Sequence, residues 1–208
     1  MPLRKPSSLV SVEARPTCLK CFRPTFQCLC DYCEPVQLPM DVLVLQHPNE
    51  RGKYYGTLKL LSALAKNVTV LRGVLFERNQ ILDAIGDCTP FILFPGPQAV
   101  SPQALTLTGN EILIVIDGTW SEAGKIFRRN ECLSHFQSLK IEAQQSEYKI
   151  RKQPKPGCLS TIEATLAALE ALPQDSAQGL QACQALRGAF RTMVQQQLLF
   201  WPRTQLTF

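Results

Sequence analysis

Residues 111–120 read EILIVIDGTW, and their reading decides the fold. Five consecutive apolar side chains, Ile112 to Ile116, leave no polar face. A strand of this kind is buried on both sides, as in a parallel sheet covered by helices. The run then ends in Asp117, Gly118, Thr119 and Trp120. Thr119 and Glu122 have the spacing of a capping box, which starts a helix from about Trp120 to Arg129. A buried strand thus delivers a polar turn directly into a helix. Ligands of open parallel sheets bind outside such carboxyl ends.

Two other strand ends carry loops of the same sort. Upstream, Asp41-Val-Leu-Val-Leu-Gln46 is a short apolar run that ends at His47-Pro-Asn-Glu50. Phe91 to Phe94 is a compact apolar strand followed by Pro95-Gly96-Pro97, which forces a tight loop. Between them, residues 56–66 have helical spacing, 68–76 read as a strand or a strand and loop, and 78–85 as a short helix. Downstream, SLKIEAQQ offers a further strand, and Ser160 with Glu163 forms a second capping box. The helix it opens runs to about Leu172, Pro173 stops it, and residues 175–198 make one more helix. Trp201 and Phe208 are candidates to pin the tail.

The remaining features bound the function. A chain of 208 residues with 45% hydrophobic content supports one substantial domain. Its formal net charge is +5, and most of that excess lies between Ser121 and Ser160, where eight basic residues meet four acidic ones. This balance fits a polyanion such as RNA. No apolar run has the length of a membrane span and the start lacks a signal-peptide core, so a cytoplasmic protein without a membrane partner is expected. No dinucleotide fingerprint, Walker loop, nucleophile elbow or HExxH motif is present.

Nine cysteines in such a compartment point to thiols or metal ligands rather than disulfides. Five of them, Cys18, Cys21, Cys28, Cys30 and Cys33, fall within sixteen residues. Four thiolates over that span can complete a tetrahedral zinc site, and a shell of four cysteines would make it structural; the competing readings are reduced cysteines without metal and, ranked lower, an iron–sulfur cluster. The spacing leaves open which four of the five take part. Residues 1–40 form the segment that carries this knuckle, and residues 41–208 form the α/β domain.

Taken in order, the CxxC…CxC knuckle, the HPxE stretch, the strand ending in DGTW and the YKIRKxPxxGxLSTIEA segment resemble the DTW-domain family of tRNA-uridine aminocarboxypropyltransferases. The resemblance spans residues 18 to about 195. It implies transfer of the 3-amino-3-carboxypropyl group of S-adenosylmethionine to N3 of a uridine in tRNA, with methylthioadenosine as the second product. It further implies a SPOUT-like knotted sheet, mostly parallel and flanked by helices, a knot that general topology rules would exclude. The family pattern favours Cys18, Cys21, Cys28 and Cys30 as the zinc ligands, with Cys33 extra. It implies tRNA rather than DNA as partner and leaves monomer or homodimer open.

The sulfonium donor is already activated, so the chemistry requires alignment and a group to accept or guide the N3 proton. Asp117 is the candidate acceptor, against the reading that it only orders the turn. His47 and Glu50 are candidates to guide the target uridine, against a solvated loop. The knot-region loops implied by the resemblance give Leu93, Phe94, Pro95, Gly96, Asp117, Gly118, Thr119, Trp120, Leu159, Ser160, Thr161 and Glu163 as the donor pocket. Thr119 and Glu163 double as capping residues, and Trp120 either stacks on a base or is a core aromatic. Lys125, Arg128 and Arg129, together with Lys149, Arg151, Lys152 and Lys155, are candidates for RNA phosphate contact or a solvated face. The competing functions are rRNA aminocarboxypropyl transfer, SPOUT-type methyl transfer, and zinc-dependent RNA binding without catalysis.

Overall fold

The computed structural model describes residues 16–21, 23–30, 34–51, 53, 56–142, 145–150, 158–173 and 177–200. The apolar runs form five strands: β1 (Asp41–Gln46), β2 (Val68–Arg72), β3 (Thr89–Leu93), β4 (Glu111–Asp117) and β5 (Gln137–Leu139). The segments between and after them form helices α1 (Leu58–Leu64), α2 (Arg78–Ile85), α3 (Trp120–Arg129), α4 (Thr161–Glu170) and α5 (Ala177–Phe200). Strand order is β2-β1-β4-β3-β5, and every pairing is parallel. Among the described residues the sheet is therefore wholly parallel. Each described helix sits between or after strands as the hydrophobic pattern predicts, and the proposed tail anchors Trp201 and Phe208 lie outside the described residues.

β4 is central and its burial is nearly continuous, as a two-sided parallel strand requires. Alternate residues enter separate cores. Val42 and Val44 of β1, and Leu113 and Val115 of β4, pack with Leu61 of α1, Leu166 of α4 and Phe190 of α5. Leu43, Leu45, Ile112 and Ile114 pack on the other face with Ile81 of α2 and Ile126 of α3. The result is three layers, with α1, α4 and α5 on one face and α2 and α3 on the other. Leu29 and Leu38, from the cysteine-bearing segment, join the first core.

Small departures from the sequence reading have local causes. β3 starts at Thr89, ahead of the apolar run, and includes Pro90. β5 pairs with β3 only from Phe91 onward, so at Pro90 that side of the strand is an edge and needs no N–H. Helix α2 ends where Gly86 takes φ 61°, a left-handed turn that glycine adopts without steric cost. Among the described residues no helix is long and apolar enough to cross a membrane.

Candidate active site

The parallel register brings three polar residues to the carboxyl edge of the sheet. Gln46 stands opposite Asp117 across β1 and β4, and opposite Arg72 across β1 and β2. The Gln46 amide nitrogen donates to Asp117 Oδ2 at 2.9 Å, and Arg72 Nε donates to Gln46 Oε1 at 3.0 Å. Because its carbonyl faces a cation, the amide is fixed with its donor toward the carboxylate. On its other oxygen, Oδ1, Asp117 accepts from the hydroxyl of Thr161, the first residue of α4. Asp117 is buried, and these charge-assisted bonds compensate its removal from water.

Beyond Asp117 the chain turns into α3. Thr119 caps the helix through its hydroxyl, and the Glu122 carboxylate reaches back to the Thr119 N–H at 2.9 Å and to its hydroxyl at 2.8 Å. Asn49 donates a further bond to Glu122 at 3.0 Å. Burial alone would raise the Glu122 pKa. The Thr119 and Asn49 bonds, with the nearby His47, outweigh it and hold the group at about 2. His47 is buried, with Nδ1 3.3 Å from both the Asn49 N–H and Glu122 Oε1. Those contacts are alternatives: the nitrogen accepts from Asn49 when unprotonated and pairs with Glu122 when it carries a proton. Gly118 makes this approach feasible, since a Cβ there would lie 3.1 Å from Glu122 Cβ and 3.5 Å from His47 Cβ.

A cleft of about 250 Å³ opens beside this turn. Leu93, Phe94 and Pro95 form one wall, Gly118 and Trp120 a second, and Leu159 and Thr161 a third. Seven of the residues expected in a donor pocket thus surround one space. Phe94 is held by stacking on Phe127 of α3, with ring centroids 4.2 Å apart. Trp120 is 56% exposed and is therefore no core aromatic; its indole N–H points to Cys158 Sγ at 3.2 Å.

The other described candidates do not line the cleft. Thr119 is engaged in its cap, and Ser160 caps α4 with Glu163. Glu163 is fully committed: it accepts from Ser160 N at 2.8 Å, Ser160 Oγ at 2.6 Å, Ser146 Oγ at 3.0 Å and Glu147 N at 2.6 Å. It thereby ties residues 146–147 to the start of α4. Gly96 is exposed in the loop after β3. Glu50 is buried and ion-paired with Lys53 at 2.5 Å. Lys125, Arg128, Arg129 and Lys149 are exposed. Arg151, Lys152 and Lys155 lie outside the described residues.

The cysteine cluster is a second centre. The sulfurs of Cys18, Cys21, Cys28 and Cys30 all lie within 4.8 Å of one another. Cys18 and Cys30 are 3.7 Å apart, and Cys21 and Cys28 are 3.9 Å apart. Tetrahedral zinc with about 2.3 Å bonds places its sulfurs about 3.8 Å apart, so this donor set fits such an ion. Backbone N–H groups of Cys21 and Lys20 hold the Cys18 thiol down at about 6, whereas burial and the neighbouring sulfurs push Cys30 up to about 12. Cys33 lies outside the described residues.

Several members of the site carried no sequence signal. Gln46 and Arg72 matter through strand register, which sequence spacing does not reveal. Lys140, Ile141 and Glu142 line the cleft because they directly follow Leu139, the last residue of β5 and itself a lining residue. Asn49 sits inside the HPNE loop and was within reach of the sequence, since a polar residue there has few local partners.

A profile described as the DTW domain matches residues 15–198. The chain is 32% identical over 175 residues to tRNA-uridine aminocarboxypropyltransferase 2 of Macaca fascicularis, an alignment covering 79% of this chain and 59% of the relative. The Drosophila melanogaster protein of the same name is 32% identical over 184 residues, covering 80% of this chain and 73% of the relative. The Arabidopsis thaliana tRNA-uridine aminocarboxypropyltransferase A is 28% identical over 195 residues, covering 77% and 74%. The match spans about 59% of the length of the mammalian relatives. No solved structure matches the chain.

Proposed function

The chain belongs to the DTW-domain family, and from that premise we propose that it transfers the 3-amino-3-carboxypropyl group of S-adenosylmethionine to uridine N3 in tRNA. The observation that carries this reading is the cleft at the carboxyl ends of β3 and β4, walled by Phe94, Trp120 and Thr161. Its apolar sides suit the adenosyl group of the donor, and its exposed indole suits stacking on a base. The relatives are named tRNA-uridine aminocarboxypropyltransferases.

In this reading Leu93, Phe94, Pro95, Gly118, Trp120, Leu159 and Thr161 surround the donor. Alignment decides the product, because N3 must meet the carbon of the aminocarboxypropyl chain bonded to sulfur while the methyl carbon is held away. Asp117 is the proton acceptor. His47 and Glu50 guide the target uridine, and Lys125, Arg128, Arg129 and Lys149 contact RNA phosphates. Zinc on Cys18, Cys21, Cys28 and Cys30 supplies structural cross-linking of residues 18–30 and takes no part in transfer. The return of the chain from edge strand β5 to the end of central β4, where Thr161 meets Asp117, supports a SPOUT-like knotted path.

The test is incubation of the protein with S-adenosylmethionine and unmodified tRNA, followed by nucleoside mass analysis. An aminocarboxypropyl-uridine and methylthioadenosine in equal amounts are expected. A methylated nucleoside, or no new nucleoside, refutes the assignment.

A further inference from the structure

Asp117 is not on the wall of the cleft, whereas Thr161 is, and the Thr161 hydroxyl donates to Asp117 Oδ1. The buried carboxylate is therefore one hydrogen bond removed from a residue of the cleft wall. Resting on the functional reading above, we propose that Thr161 is a catalytic residue, a proton relay that touches the uridine and passes its N3 proton to Asp117.

The site's organisation argues for this. Oδ2 of Asp117 is already engaged by the Gln46 amide, which has no proton-accepting atom free for it because its carbonyl faces Arg72. Oδ1 carries the hydrogen bond that leads from Asp117 to a side chain on the cleft wall. Thr161 is well placed to stay put while protons move. It is the first residue of α4, its backbone is set by the Ser160–Glu163 capping box, and its carbonyl accepts from Thr165 Oγ1 at 2.7 Å. The following residue, Ile162, is fully buried. A hydroxyl both donates and accepts, so it can take one proton while giving up another.

The transfer balances as follows. The N3–H bond breaks and its proton goes to Thr161 Oγ, while the proton of that hydroxyl passes to Asp117 Oδ1. The N3 electron pair forms the new N–C bond to the sulfur-bearing carbon of the aminocarboxypropyl chain. The C–S bond breaks with its electrons kept by sulfur, leaving neutral methylthioadenosine. One positive charge on the sulfonium and one negative charge on Asp117 disappear together.

The test is single-turnover kinetics at saturating S-adenosylmethionine and tRNA, in water and in mixtures with heavy water. For the unaltered protein, two protons in flight give a curved dependence of rate on deuterium fraction. Thr161→Val is expected to lower the transfer rate by about 100-fold or more. Thr161→Ser keeps the hydroxyl and is expected to recover most of the rate and the curvature. A linear dependence in the unaltered protein overturns the relay, because it leaves one proton in flight. A Thr161→Val rate equal to that of the unaltered protein overturns it as well. Should the valine variant not fold, the serine variant and the heavy-water dependence decide. Absence of any aminocarboxypropyl product from the unaltered protein refutes the functional reading and the relay with it, whereas product at full rate from Thr161→Val refutes the relay alone.

Discussion

Gln46 and Asp117 stand directly opposite in paired parallel strands, and the Gln46 amide nitrogen lies 2.9 Å from Asp117 Oδ2. The relation fixes the orientation of the carboxylate toward Gln46. Gln46→Glu replaces that donor with a second acid at hydrogen-bond distance. The two carboxyls then titrate as a pair with a raised upper pKa. The acid limb of the kcat/KM profile is expected to move to higher pH, further than in Gln46→Leu, which only loses the bond. Profiles recorded for all three proteins check this; superimposable acid limbs would show that Asp117 does not titrate in the reaction.

Glu122 has a testable acid signature. Its folded pKa of about 2 lies below the ordinary glutamate value, so the stability it confers is fully present above the unfolded pKa. It is lost as pH falls from about 4.5 toward 2. Replacing it with glutamine should cost about 0.5–2 kcal/mol at pH 7, the range expected for disrupting a helix cap. Thermal melts of the two proteins should differ most at pH 7 and converge as the pH approaches about 2.

The cysteine centre predicts one zinc ion per chain by elemental analysis. Stripping it with a chelator should lower the melting temperature, and zinc should restore it. Serine at Cys18, Cys21, Cys28 or Cys30 should each abolish stoichiometric zinc. Cys33→Ser should keep it, and loss of zinc in that variant would reassign the ligand set.

Lys125 and Arg129 occupy one face of α3, one turn apart and both exposed. Changing both to glutamate should weaken tRNA binding. It should also make the dependence of log affinity on log salt shallower, by about one in slope for each phosphate no longer neutralised. Affinity titrations at several salt concentrations check this, and donor binding without RNA should be unchanged.

Much of the architecture was written in the hydrophobic pattern. Ile112 to Ile116 announced a two-sided strand, and the Thr119–Glu122 and Ser160–Glu163 spacings announced helix starts, because these features are local. The site was legible in part for the same reason. Asp117, Gly118, Trp120 and Thr161 sit at the ends of elements whose limits the sequence marks. Gln46 and Arg72 were not legible, since their importance arises only when β1 is set between β2 and β4. The separation of Asp117 from the cleft was equally hidden, because no spacing tells which of two neighbouring polar groups faces solvent.

The alternation of β1 and β4 between two cores has a consequence for how the chain tolerates change. Gln46 and Asp117 lie in step with Val42, Val44, Leu113 and Val115, all on the layer that α4 covers. Deleting or inserting one residue in either strand would invert that parity. The polar residue of the altered strand would be delivered to the layer of α2 and α3, away from its partner on the neighbouring strand. A change of length is therefore absorbed more readily in loops away from the cleft, whereas within these two strands the chain must count in twos.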